Sequence, residues 1–408
     1  MRAHVTLHRV IHPDRFASDT PRSTINAMAS KRQRHDTADA YTKIPTPDTP
    51  DAAMAIVRGL VEKFGLDVSK EDDSDHGARV SFSKTTYEQV APCVGLGSFG
   101  MLEDIGTFEI HRCRIPLKLF KSIVMDMDIM LIQYGPPFDH ETVETRSRFF
   151  SPVFNHLVKQ FTFMLRNHPE IIAGDIATQD RIGHFFKIFG AVAVLLIEMK
   201  RLVGSSEERL KGIAQVIAKS DGCDLNNYTH GFSLPIYCIF SDGWSFEFFK
   251  FERTPTPTFL RGCFRGDPKP LRRGLPLSDN RTMETPLPWI LQLRCVCETI
   301  FDVMLSGYIA GLKACYNQLK HKGKEDSKSF DEWDRALRLA ERAQATFREA
   351  EVLCEDGNIV SADVIADEAL LALQESTGTV PTIYESELFM TGWDDAEVNR
   401  ASLHCFWC

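Results

Sequence analysis

Between Gly190 and Gly204 lies the run Val192-Ala193-Val194-Leu195-Leu196-Ile197-Glu198-Met199-Lys200. An apolar run this short, bracketed by glycines, reads as a buried strand rather than a helix. Strand side chains alternate faces, so Glu198 and Lys200 point the same way, about 6–7 Å apart along the strand. Val194 and Leu196 precede them on that face, while Leu195, Ile197 and Met199 line the other. A carboxylate and an amine ending a core strand are either a structural ion pair or half of a chemical site.

The chain of 408 residues, 43% hydrophobic and 25% charged, can bury a sizeable core in two domains or in one with extensions. No uninterrupted apolar run approaches the roughly 18–20 residues of a membrane span. No secretory leader pattern opens the sequence. The 11 cysteines are odd in number and scattered, without paired CxxC spacing, which predicts a reduced, intracellular compartment, nucleus or cytoplasm. Cys405-Phe406-Trp407-Cys408 reads as a terminal tail. The net charge of −9 is unevenly spread: Glu349 to Glu397 holds 13 acidic residues and no Lys or Arg. Without that segment 47 basic residues face 43 acidic ones, so a basic groove elsewhere is allowed.

Taken in order, residues 1–50 lack periodicity and are rich in Ser, Thr, Asp, Pro and Arg, which predicts disorder. Lys31-Arg32-Gln33-Arg34 is a candidate nuclear address, and Arg2, Arg9, Arg15 and Arg22 a candidate transit peptide. Residues 51–135 form a helical or mixed element that opens with an amphipathic helix from Ala52 to Phe64. Val94-Gly95-Leu96-Gly97-Ser98-Phe99-Gly100 is similar to the glycine loop of protein kinases, with Lys118 as a phosphate lysine. No His-Arg-Asp or Asp-Phe-Gly follows, so a turn needing positive φ is the better account. Residues 136–320 form the core. Glu141 to Arg166 is one helix kinked at Pro152 or two abutting helices, capped by Asp139 or Thr142. Ile171 to Phe189 is a hairpin with His184 in its second strand. Ser205 and Glu208 make a capping box on a helix that runs to about Lys219 and stops at Asp221-Gly222. Pro235–Phe240 and Trp244–Phe251 are strands about Asp242-Gly243. Pro255 to Pro288 is a Pro- and Arg-rich excursion in which Arg261, Arg265, Lys269, Arg272 and Arg273 are candidates for contacting phosphate backbones. Trp289 to Leu319 is a long amphipathic helix. Residues 321–408 hold an acidic helical hairpin, Asp331–Leu353 and Ser361–Gln374, and a tail, a candidate surface for a protein partner.

A helix carrying Glu144, a hairpin, a strand ending Glu-x-Lys, a helix and two more strands together resemble the PD-(D/E)XK nuclease-like superfamily. The chain looks most like the nuclease-like domains of expanded fungal protein families of undefined role. The residues that carry this are Glu144 with Arg148, Phe154-Asn155, Glu198-Met199-Lys200, Gln215 and Ser241-Asp242-Gly243. The resemblance implies an α/β (α+β) class with a restriction-endonuclease-like mixed central sheet, flanked by helices and followed by a helical C-terminal extension. It also implies Mg²⁺- or Mn²⁺-dependent hydrolysis of DNA or RNA phosphodiesters. Glu198 and the Met199 carbonyl would be metal ligands, Lys200 would act on the attacking water, and Glu144 would be an outer carboxylate. Gln215 and Lys211 would position the site or a phosphate. The family also wants an Asp on the preceding strand, where the hairpin register puts Gly183. That Asp would be the main metal ligand. Asp180 and Asp175 lie nearby, and Asp180 takes that role only if the hairpin shifts by a few residues, an unfavourable slip because a one-residue shift already turns a side chain to the wrong face. A degenerate nuclease-fold binding module is the alternative that Gly183 raises.

Overall fold

The run Val192–Met199 is a strand, and every side chain in it is buried. The computed structural model of the protein describes residues 80–97, 104–162, 164–167, 170–172, 177–178, 180–182, 184–189, 192–200, 203, 205–253, 256–264, 275–276, 287–321, 323 and 328–381. All of them belong to one unit, Asp73–Cys408. The expectations for residues 1–79, with the helix from Ala52 and the basic addresses, lie outside the described residues, as does the Cys405–Cys408 tail.

The strands in chain order are β1 (Val80–Ser81), β2 (Thr107–Ile110), β3 (Leu165–Asn167), β4 (Glu170–Ile172), β5 (Ala177–Thr178), β6 (Asp180–Ile182), β7 (His184–Ile188), β8 (Val192–Met199), β9 (Ile236–Ser241), β10 (Ser245–Glu252), β11 (Thr258–Phe264) and β12 (Leu275–Pro276). The helices are α1 (Tyr87–Val90), α2 (Leu117–Tyr134), α3 (Val143–Lys159), α4 (Ser206–Thr229), α5 (Leu287–His321), α6 (Lys328–Glu355) and α7 (Ile359–Thr379). The class is mixed α/β. Its central sheet runs β2-β11-β10-β9-β8-β7-β3, with β12 beside β10. Strand β8 is antiparallel to β7 and parallel to β9, so α4 serves as the crossover between β8 and β9.

Two apolar layers explain why β8 carries no solvated face. On one side α2, α3, α5 and the α6–α7 pair cover Leu195, Ile197 and Met199 together with Ile239, Phe246 and Phe248. On the other, α4 and the segment around α1 cover Ala193, Leu196, Cys238, Phe240 and Phe249. Val194 departs from the alternation. A bulge lets Phe186 pair with Leu195 and Lys187 with Ala193, which places Val194 among the residues facing α5. Helix α5 comes close enough there that a Cβ on Gly311 would stand 1.4 Å from Ile188 Cδ1. Only a glycine allows that approach.

Several local expectations hold and several shift. Gly95 closes a short helical turn at φ +73°, the positive-φ turn expected within the kinase-like stretch. Thr142, not Asp139, caps α3, and Pro152 sits inside that single helix. Leu165 and Arg166 have left the helix and pair with Ile188 and Lys187. Ile171 instead faces Arg181 in a separate small ladder. The capping box of Ser205 and Glu208 forms with both bonds at 3.1 Å. Helix α4 does not stop at Asp221-Gly222, because tertiary contacts hold its last turns. Arg253 pairs with Asp221 at 2.8 Å and also with Asp224, and the Asn227 amide bonds both backbone groups of Ala193. The Asp242 carboxylate accepts from the backbone N–H groups of Trp244 and Ser245, each at 3.0 Å, which sets the β9–β10 turn.

The acidic C-terminal hairpin is built into the core rather than appended to it. Trp333, Ala336, Ala340, Ala343, Phe347, Ala369 and Leu373 are buried with residues of α5. By length and composition Trp289–His321 is apolar enough to cross a membrane, with a mean hydropathy of 1.4, but 83% of that window is buried inside the protein. Charged side chains then tie the segment before α2 to these helices. Arg112 reaches Glu298 and Glu351, each at 2.8 Å, and Arg114 reaches Asp363 at 2.9 Å.

Burial, reinforced by the Glu298 charge and only partly offset by Arg112, pushes the Glu351 carboxyl up to about 7. A folded-state value above the usual 4.5 means that the folded chain holds this proton more tightly than the unfolded one. The Glu351 contribution to stability therefore falls as pH rises from 4.5 towards 7. Glu351→Gln, which keeps an acceptor for Arg112, is expected to be more stable than wild type at pH 8 by roughly 1 kcal/mol. The advantage should vanish near pH 4.5. Urea titrations at the two pH values measure it, and an equal difference at both would contradict the assignment.

Candidate functional site

Glu198 and Lys200 emerge on the α4 face of the sheet as alternation requires. Glu198 is buried, with 7% of its surface exposed. Its Oε1 accepts from Lys200 Nζ at 2.7 Å, and its Oε2 accepts from Lys219 Nζ, also at 2.7 Å. Lys200 donates in addition to Gln215 Oε1, and Gln215 Nε2 donates to the Ser83 carbonyl at 3.1 Å. Gln215 and Lys219 lie four residues apart on α4, one turn above the other, so a single helical face delivers both. The result is one carboxylate between two ammonium groups, a local net charge of +1.

The environment of Glu198 reflects that arrangement. Burial alone would raise its carboxyl, but the charges and hydrogen bonds of Lys219 and Lys200 outweigh burial and hold it below the usual carboxylate range. Lys219 is as enclosed as Glu198, whereas the Lys200 side chain keeps 27% of its surface exposed. Lys200 is therefore the member that a solute can reach. A second buried pair on the same face repeats the design. Arg209 of α4 bonds Glu247 of β10 through both carboxylate oxygens at 2.8 and 2.6 Å.

The remaining expected residues do not all converge. Glu144 is on α3, on the opposite side of the sheet, with 73% of its side chain exposed and Arg148 as its partner at 2.6 Å. Arg261 is not a surface contact for phosphates. It lies in the middle of β11, 4% exposed, with Glu247 at 3.2 Å. Part of the excursion from Pro255 is a strand instead, because Phe259, Leu260 and Phe264 give it apolar residues to pack. Arg265, Lys269, Arg272 and Arg273 lie outside the described residues, as do Asp175 and Gly183. Asp180 falls in β6, whose pairing with β4 is separate from the central sheet. Met199 is the last residue of β8, paired with Ser241. Lys211 is exposed on α4, one turn before Gln215.

His184, opposite Ile197, faces α3 rather than Glu198. It bonds Ser147 Oγ and lies 5.4 Å from the Phe154 ring, which marks it as a core histidine with a partner. Burial lowers its pKa, and the Glu198 charge opposes that shift. Lys219 was not among the expected site residues. The spacing Lys211, Gln215, Lys219 on one helical row was the signal that could have found it.

Magnesium and manganese need carboxylate oxygens directed at the ion. Here both oxygens of the one converging carboxylate already accept from ammonium groups, and both neighbours repel a cation. Among the described residues no group of three His, Cys, Asp or Glu is placed to hold a metal ion. This donor set does not fit a divalent metal. No protein-family model, curated protein or solved structure matches the chain.

Proposed function

We propose that this chain is a nuclease-fold module of the PD-(D/E)XK type that has lost metal-dependent cleavage and acts in binding or interaction. The observation that carries this is the Glu198 carboxylate held between Lys200 and Lys219. Support for the fold half comes from the order of elements along the chain: helix α3, strands leading to Glu-x-Lys, helix α4, then β9 and β10. Support for the functional half comes from the placement of Glu144 on the far side of the sheet and from the ammonium group held on each Glu198 oxygen. A surface for partners is available on the outer hairpin, where Val360, Val364 and Leu371 are exposed on one stripe of α7 beside Asp367 and Glu368.

Active catalysis has one observation in its favour, the Lys200–Gln215 contact, which suits the positioning role that the nuclease resemblance gives Gln215. Incubating the full chain with single- and double-stranded DNA and RNA, with Mg²⁺ or Mn²⁺, separates the two. No cleavage above buffer is expected. Cation-dependent cleavage that disappears in Lys200→Ala would overturn the proposal.

A further inference from the structure

We infer that the Lys219 ammonium takes the place of the divalent cation at Glu198, so that the pocket is charge-complete without a metal. The inference rests on the nuclease-fold reading and adds to it the group that replaces the ion. Three features single out Lys219. Lys200 already neutralises Glu198 at 2.7 Å, so a second lysine is redundant for a simple strand-end pair. Lys219 is nevertheless enclosed, with 9% of its side chain exposed, and its ammonium is directed at the carboxylate oxygen that Lys200 leaves open. An ammonium is also a compact point charge, the side-chain cation closest in character to a hard metal ion.

The two occupants exclude one another. Magnesium binds an oxygen at about 2.0–2.1 Å, and the Lys219 nitrogen stands 2.7 Å from Oε2. An ion on the same lone pair would coincide with the ammonium, and one on the other lone pair would sit only about 4 Å from it with like charge. Gln215 cannot relieve the conflict, because its oxygen is taken by Lys200 and its nitrogen by the Ser83 carbonyl. The carboxylate is thus committed to an internal cation carried on α4. Lys200, partly exposed, remains the positive group that an incoming anion meets.

Manganese titration of the full-length protein, followed by electron paramagnetic resonance with Mg²⁺ as competitor, tests this. The proteins are wild type, Lys219→Gln and Lys219→Glu, each with and without Glu198→Gln. Lys219→Gln keeps a hydrogen-bond donor to the carboxylate and so protects the fold. Wild type is expected to show no Glu198-dependent Mn²⁺ binding at roughly 1 mM cation. Lys219→Gln is expected to bind at least about tenfold more tightly than wild type, and to lose the gain when Glu198→Gln is added. Lys219→Glu, with a second carboxylate, is expected to melt about 3–5 °C higher when Mn²⁺ is present, while wild type does not shift. Glu198-dependent binding by wild type, or no gain in either Lys219 variant, overturns the inference. Cleavage is a separate readout: cation-independent cleavage by wild type would sink the proposed function alone. A missing gain in the variants with no cleavage by wild type would sink only the role of Lys219.

Discussion

Glu198→Ala is expected to lower the unfolding free energy by about 3–5 kcal/mol at pH 7, because it strands the Lys219 ammonium in the interior beside Lys200. Lys219 bonds no other side chain among the described residues, and its enclosure denies it water. Lys200 would suffer less, since it is partly exposed and keeps Gln215. The size of the loss should depend on pH in a defined direction. Glu198 has a folded-state value below the usual 4.5, so its stabilising contribution is complete above 4.5 and is lost as pH falls through the lowered value. Wild type and Glu198→Ala should therefore converge in acid. Chemical denaturation across pH 3 to 7 measures this. A penalty under about 1 kcal/mol at pH 7 would mean that the pair behaves as a surface bridge.

Arg348→Ala is expected to cost a similar amount, about 3 kcal/mol, through the mirror-image problem of a buried carboxylate left without its counter-ion. Asp302 of α5 is 3% exposed and accepts from Arg348 Nε at 2.8 Å and Nη2 at 3.0 Å. Once Arg348 is gone, the near donors that remain are the Cys113 thiol at 3.1 Å and the Gln344 amide at 3.4 Å, both weak substitutes for a guanidinium. Because Arg348 is on α6, the variant should also loosen the α6–α7 pair. Hydrogen exchange is expected to accelerate in α6 and α7 before the central sheet responds. Uniform acceleration would show instead that the C-terminal helices and the sheet unfold as one unit. The packing of Phe347 against Phe301, ring centroids 5.1 Å apart, is the contact that such loosening would expose. Removing residues 331–408 outright would uncover the α5 face, so a truncation aimed at partner capture must be checked for folding first.

Much of the architecture was readable because it is local. The opening strand is apolar without interruption, Asp242-Gly243 joins two alternating segments, and Ser205 with Glu208 caps a helix through bonds that span three residues. Where local signals conflict with long-range contacts, the long-range contacts prevail. Asp221-Gly222 carries a stop signal that Arg253, arriving from beyond β10, overrides. The arginine in β11 looked like a phosphate contact because its partner, Glu247, is a residue of another strand. Val194 changed face because of a bulge, which periodicity cannot register.

The sequence by itself determined that Glu198 and Lys200 share one face at the end of a core strand, since a period of two leaves no other choice. It also placed Gln215 on the helix that follows. Only the tertiary structure decided what those residues face. Crossing α4 over β8 brings Lys219 onto the second carboxylate oxygen, while packing α3 on the opposite layer leaves Glu144 in solvent. The reason is physical: a carboxylate's partners are set by which helix covers which side of the sheet, and that depends on the whole buried surface rather than on any one stretch of chain.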